Sequence, residues 1–93
     1  MAIQITARSM SGGNTHQHIA KLRWTEPSTG KSGENPRADI VGWIENKNIK
    51  AYTDDNRGHR ADVGVVTPAH GAKYLRTHAD GVWTNNLLEL PEF

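Results

Sequence analysis

The segment KYLRTHADGVWTNNLLELP, residues 73–91, contains the strongest structural signal in this chain. Arg76, His78 and Asp80 occupy alternate positions, so an extended strand would place their side chains on one face. A turn follows, and then a leucine-rich tail, residues 87–93, which we expect to fold back as a lid. The segment therefore predicts a strand that closes a sheet and an apolar tail that covers its core.

Further strands are indicated by the alternation of apolar and polar residues. Ile3, Ile5 and Ala7, for example, alternate with polar side chains at the beginning of the chain. The five predicted strands are residues 3–8, 20–24, 49–53, 60–66 and 72–77. Residues 27–35 are rich in Pro, Gly, Ser and Thr, and they predict a loop rather than a strand.

One helix is predicted between the second and third of these strands. Asn35 can cap a helix N-terminus, and Pro36 suits the first helical position because its missing N–H needs no partner there. Ile40, Val41 and Ile44 then follow at helical spacing. The order ββαβββ predicts an α+β fold, an antiparallel sheet of about five strands with one helix, over residues 1–93 as a single domain.

Composition narrows the classes of protein to which the chain can belong. The 93 residues include no cysteine, which excludes disulfides, thiolate metal sites and a cysteine nucleophile. The net charge is +1, so no general attraction to nucleic acid or anionic lipid is expected. Residues 1–10 lack the pattern of a secretory signal, and no apolar run approaches the roughly 20 residues of a membrane span. We therefore expect a cytoplasmic protein without membrane contact and without a cofactor.

A series of short motifs runs through nearly the whole chain in a fixed order. They are ITAR (5–8), MSGG (10–13), HI (18–19), LRW (22–24), WI (43–44), YLRT (74–77), ADG (79–81) and NLLELP (86–91). In this order they resemble a small bacterial or phage-borne family of domains of unknown function. The resemblance implies a compact domain and assigns no catalytic residue.

Catalysis would need an acid, a base or a nucleophile within hydrogen-bond reach of a partner. Arg76, His78 and Asp80 form the best local set, with Arg76 available to an oxyanion. The alternative interpretation is that these residues are the polar outer face of a strand. An enzyme that uses them is therefore an alternative hypothesis, and no catalytic residue is assigned.

A metal site is suggested only by His16 and His18, a His-x-His pair in a glycine-rich loop. Two imidazoles could bind Zn²⁺ or Ni²⁺ if a third ligand joined them. Without one, they are solvated loop histidines. Asp54, Asp55 and Asp62 lack the spacing of a calcium loop. No metal is therefore predicted.

The main hypothesis is a non-catalytic binding or accessory module. Its candidate ligand-binding residues are Arg23, Tyr74, Arg76, His78, Asp80 and Trp83. One alternative is a weak binder of single-stranded nucleic acid, in which cations such as Arg23 and Arg76 hold phosphates while Tyr52 or Tyr74 stacks on bases. Another is a protein partner or a homodimer, because a small sheet leaves edges to be covered.

The three tryptophans are expected to converge on the core, since each can bury a large apolar area. Trp24 and Trp43 belong to a predicted strand and to the predicted helix. Trp83 lies between turn residues, so we place it at the rim of the core, half exposed.

Overall fold

A computed structural model describes residues 2–13, 15–54, 60–79 and 82–93. Its strands are β1 (Ala2–Met10), β2 (Ile19–Glu26), β3 (Lys31–Pro36), β4 (Lys50–Asp54), β5 (Arg60–Val66), β6 (Tyr74–Ala79) and β7 (Val82–Thr84). The helix α1 spans Arg37–Asn46, and two short 3-10 helices span His16–His18 and Asn86–Glu89. Within these ranges, no helix has both the length and the apolar character needed to cross a membrane.

The strands form one mixed sheet in the order β3-β2-β1-β4-β5-β6-β7. Neighbouring strands are antiparallel except β1 and β4, which are parallel and pair from Ala2 opposite Lys50 to Gln4 opposite Tyr52. The helix α1 lies between β3 and β4 in the chain and contacts β2, β3, β5 and β6. The predicted α+β class is confirmed.

The prediction of an antiparallel sheet of five strands is wrong in strand number and in direction. Most of the strand β3 lies within residues 27–35, which were predicted to form a loop. The prediction missed this strand because its sequence KSGENP contains none of the apolar residues that signal a strand. It is held by backbone pairing to β2 along six residues. The strand β7 has only three residues, too few to show an alternation. The parallel pair arises because α1 returns the chain to the free side of β1, a relationship that no local pattern contains.

The predicted helix is present, but Asn35 does not cap it. Asn35 belongs to β3, and its side-chain oxygen accepts a hydrogen bond from Trp24 Nε1 at 2.9 Å. The amide nitrogen of the same side chain donates to Asp39 Oδ2 at 3.1 Å. Pro36 occupies the N-cap position, without a side-chain hydrogen bond. The partly buried Trp24 indole therefore competes for the oxygen that a cap would have used.

The core lies between one face of the sheet and α1. Ile3, Ile5 and Leu75 from the sheet are fully buried with Ile40 from the helix. At one end of this layer the rings of Trp24 and Trp43 meet edge to face, with centroids 5.7 Å apart. This geometry is favourable for two indoles, and both pack against the core as predicted.

The leucine-rich tail covers the core as predicted, except at its end. Leu87 is fully buried, whereas Phe93 retains 38% of its exposure. The tail then runs beside β1, where the Arg8 N–H donates to the Pro91 carbonyl and the Phe93 N–H donates to the Arg8 carbonyl, both at 2.9 Å. The guanidinium of Arg8 adds hydrogen bonds to the Leu88 carbonyl and to Glu92. The tail is therefore attached to the sheet as well as packed on it.

Candidate functional site

One residue from each of the seven strands contributes to a continuous row across the sheet. Each member lies directly opposite the next in the strand pairing; in order, the row is Ser32, Thr25, Gln4, Tyr52, Asp62, His78 and Trp83. Residues directly opposite each other in adjacent strands point to the same face. We call this surface the ladder face.

The ladder face is opposite the core because side chains alternate along every strand. On β4 and β5, Ala51, Thr53, Ala61 and Val63 are buried on the core side. Asp62, between two of these residues, is exposed. The alternation that builds the core therefore also places a row of polar and aromatic side chains on the other side of the sheet.

At the β7 end of the row, His78 and Trp83 form a ring pair. Their centroids lie 5.4 Å apart and their planes meet at 78°. The pair stands over Gly64 of β5, where an added Cβ would lie 3.1 Å from His78 Cδ2 and 3.5 Å from Trp83 Cη2. Glycine allows this close approach. Trp83 is 47% exposed, so the predicted half exposure is confirmed and part of the indole is open to a ligand. The ring lies on the face opposite the core, not at the rim of the core.

A second stacked pair lies on the same face at β4 and β5. The Arg60 guanidinium carbon is 3.7 Å from the centroid of the Tyr52 ring, which is a cation–π contact. Tyr52 is buried, whereas Arg60 is exposed. Tyr52 and Trp83 are separated by three inter-strand spacings, or about 14 Å, and Asp62 lies between them in the row.

Arg76 belongs to this region, but its guanidinium has partners within the fold. Nε donates to the Thr84 carbonyl at 3.2 Å, and Nη2 donates to Asn85 Oδ1 at 3.3 Å. Arg76 also lies directly opposite Gly64. Its hydrogen bonds therefore hold the segment that follows Trp83.

The other predicted ligand-binding residues are distributed unevenly over the sheet. Tyr74 is half-buried, two residues before Arg76 on β6, and shares its face. Arg23 lies on β2, four inter-strand spacings from β6, or about 19 Å. It is 3.6 Å from Glu34 and stacks over Phe93, with its guanidinium carbon 4.4 Å from the ring centroid. The structure groups the β6 and β7 candidates and leaves Arg23 apart.

Asp80 lies outside the described residues, so the predicted set of Arg76, His78 and Asp80 is described only for its first two members. His78 is engaged with Trp83, and Arg76 with the segment after it. These contacts give both side chains a role in the architecture of the ladder face.

The two histidines of the His-x-His pair occupy different environments. His16 is buried, and its Nε2 has no hydrogen-bond partner in the described part of the chain. Burial lowers the pKa of His16, and the positive charge of Arg76 lowers it further. The Nδ1 atom of His18 lies 2.8 Å from Thr15 Oγ1. Across the described ranges, no group of three or more His, Asp or Glu side chains could hold a metal ion.

The sequence pattern alone does not bring several residues of this site together. It suggests Tyr52 as a stacking residue and Asp62 only as a possible calcium ligand, and it gives Gly64 no role. The alternation of apolar and polar residues on each strand does predict that Tyr52, Asp62 and Gly64 face away from the core. Their combination in one row depends on strand register, which the sequence pattern does not reveal.

Comparison with known proteins gives a family. The sequence profile of the DUF3892 family, described as a protein of unknown function, matches residues 4–91. Searches of the curated proteins and of the solved structures find no match.

Proposed function

We propose that this chain, which belongs to the DUF3892 family, is a non-catalytic binding module. Its ligand stacks a flat ring on Trp83 of the ladder face. The predicted membership in a family of unknown function is confirmed, and it gives no activity from which to argue. The proposal therefore rests on the geometry of the site.

The observation that carries the proposal is the half-exposed indole held against His78 over Gly64. A large apolar ring in water is unfavourable unless a partner covers it, because its burial is worth more than that of most side chains. The edge-to-face contact and the pairing of β6 with β7 limit the orientations of the Trp83 ring. A fixed ring loses little entropy on binding, which favours affinity for a flat ligand.

The hydrogen-bond partners of Arg76 support a structural role for this residue rather than a catalytic one. A group that transfers protons or stabilises a developing charge needs free donor capacity directed at the substrate. Arg76 directs two donors at Thr84 and Asn85. We therefore give Arg76 a structural role beneath a ligand, while His78 supports the Trp83 ring through its edge-to-face contact.

The proposal can be tested by NMR of the tryptophan indole N–H signals during titration with neutral heteroaromatic compounds. The expected result is a selective shift of the Trp83 signal, with Trp24 and Trp43 unchanged because they pack against the core. Trp83→Ala should abolish binding, and Trp83→Phe should retain part of it. Val82→Ala is the matched control, because Val82 is exposed beside Trp83 and points to the other side of the strand. Equal binding by the wild type and Trp83→Ala would overturn the proposal.

A protein partner, or a second copy of the chain, is a separate proposal supported by one observation. Val82 is 65% exposed on β7, the last strand in the order of the sheet. An exposed apolar residue on an edge strand is a common feature of strand addition. A mass that stays monomeric over a hundredfold range of concentration would exclude the homodimer.

We also propose a cytoplasmic location, which the cysteine-free sequence supports.

A further inference from the structure

We propose that the ring ligand of the ladder face is a guanine base in single-stranded nucleic acid, and that Asp62 reads its hydrogen-bonding edge. This inference rests on the proposed function, because it needs Trp83 as a stacking surface. It adds the chemical class of the ligand and a residue that selects it.

Asp62 has the position that such a role requires. It lies directly opposite Tyr52 on β4 and His78 on β6, at the centre of the aromatic part of the row. Its side chain is exposed, and no described residue forms a hydrogen bond or ion pair with it. Both carboxylate oxygens are therefore available as acceptors toward a ligand.

The charges around Asp62 decide between two kinds of ligand. A carboxylate near aromatic rings can bind an organic cation, but three cationic side chains surround this one. Arg60 is two residues away on the same strand, while Lys50 and Arg76 lie diagonally on the neighbouring strands. Among the described residues of this area Asp54 is the second carboxylate, so three positive charges face two negative ones within that set. This excess favours a ligand that combines negative phosphates with a hydrogen-bond donor edge.

Guanine has the donor edge that fits a carboxylate. Its N1–H and N2–H groups are neighbours, so they can donate to the two oxygens of Asp62 as a bidentate pair. Uracil and thymine have one N–H on this edge, and it lies between two carbonyl oxygens. These carbonyl oxygens and the carboxylate oxygens repel each other. Adenine and cytosine pair their amino group with an acceptor nitrogen. Among the bases, guanine therefore gains the most from Asp62.

The two stacked pairs supply surfaces on either side of Asp62. Bases in single strands stack on aromatic rings and on Arg guanidinium planes, and each aromatic stack contributes substantially to binding. Trp83 offers the ring, and Arg60, held over Tyr52, offers a guanidinium plane. The Asp62 carboxylate lies between these surfaces in the row, where it can meet the edge of a base.

The test is fluorescence anisotropy with labelled eight-nucleotide RNAs: uniform U, the same strand with two central guanines, and a third with inosine at those positions. Inosine lacks the 2-amino group and so removes one of the two donors. For the wild type, the guanine strand should bind about tenfold tighter than uniform U, with the inosine strand between them. Asp62→Asn should remove this preference, and Trp83→Ala should weaken binding of all three strands. Glu34→Gln is the matched control, because it also removes one carboxylate charge from the sheet. Glu34 lies on β3, opposite Arg23 and four inter-strand spacings from β5.

The outcomes separate the inference from the proposed function. Equal affinity for the three strands, or a guanine preference that persists in Asp62→Asn, overturns the role of Asp62 while the stacking site on Trp83 stands. Binding of alkylammonium or guanidinium compounds that is lost in Asp62→Asn, with no binding of RNA, overturns the inference in favour of a cationic ligand. Absence of any effect of Trp83→Ala on bound ligands overturns the proposed function itself. Thermal melts of each variant confirm that these surface substitutions leave the fold intact.

Discussion

The hydroxyl of Thr84 donates a hydrogen bond to the hydroxyl of Thr77 over 2.7 Å, and this contact joins β7 to β6 beneath the ladder face. Thr77 is fully buried, and its hydroxyl donates in turn to the Thr84 carbonyl at 3.3 Å. The Thr77 hydroxyl oxygen also accepts a hydrogen bond from the Asn86 N–H at 3.1 Å. One side chain therefore connects the short strand that carries Trp83 to the turn that begins the lid.

Replacement of Thr77 by Val should lower the free energy of unfolding by about 1–3 kcal/mol, because the Asn86 N–H and the Thr84 hydroxyl lose their buried acceptor. Val has nearly the same shape, so packing is preserved. Urea denaturation measures the change. Thr84→Val is the control and should cost less, since it leaves the bonds of Thr77 to Asn86 and to the Thr84 carbonyl. Equal stability of Thr77→Val and the wild type would contradict this account of β7.

Two glycines should respond differently to substitution by alanine. Gly42, in the interior of α1, has no atom within 4 Å of an added Cβ, so Gly42→Ala should stabilise the protein by about 1 kcal/mol. Gly64→Ala should give no gain, because the added carbon meets the ring of His78 at 3.1 Å. The melting temperatures of both variants test the prediction. A displaced Trp83 indole signal in Gly64→Ala alone is the accompanying sign, and a stabilised Gly64→Ala with an unchanged Trp83 signal would refute it.

The lid predicts a difference between two apolar residues near the C-terminus. Leu87 is fully buried within the core cluster, so Leu87→Ala should cost about 2–5 kcal/mol through lost contacts and a cavity. Phe93 is 38% exposed and contacts Arg23, so Phe93→Ala should cost far less. Chemical denaturation of the two variants provides the comparison. Similar losses for both would mean that the tail contributes as a whole rather than through Leu87.

The stability of the protein should fall in mild acid because of His16. Its pKa in the folded state is lowered by burial and then by the charge of Arg76, below the ordinary histidine value of about 6.5. The unfolded chain then binds a proton more readily than the folded one. Stability is full above about pH 6.5 and is lost as the pH falls toward the lowered pKa. Thermal melts between pH 7.5 and pH 5.5 should show this loss in the wild type and a smaller one in His16→Leu.

His70→Gln serves as the control for replacement of a histidine, since His70 is exposed. An identical pH dependence in the wild type and in His16→Leu would show that other groups are responsible.

Much of the fold could be predicted from local pattern. Alternation identified β1, β2, β4, β5 and β6, and helical spacing identified α1, because burial of one face imposes a period on the sequence. The same reasoning identified the lid through its leucines. It failed for β3, whose sequence has no apolar residue, and its stability as a strand depends on hydrogen bonds to β2. It also failed for β7, which is too short for a period.

The candidate site shows the same division. Alternation alone was enough to place Arg76 and His78 on one face, and the surrounding turn residues were enough to predict that Trp83 is half exposed. Only the folded sheet puts Asp62 opposite His78, His78 opposite Trp83 and Gly64 beneath both rings. The physical reason is that alternation reports which side of a strand is buried, whereas register is set by pairing between segments distant in the chain. The parallel pairing of β1 with β4 depends in the same way on the path of α1 across the sheet.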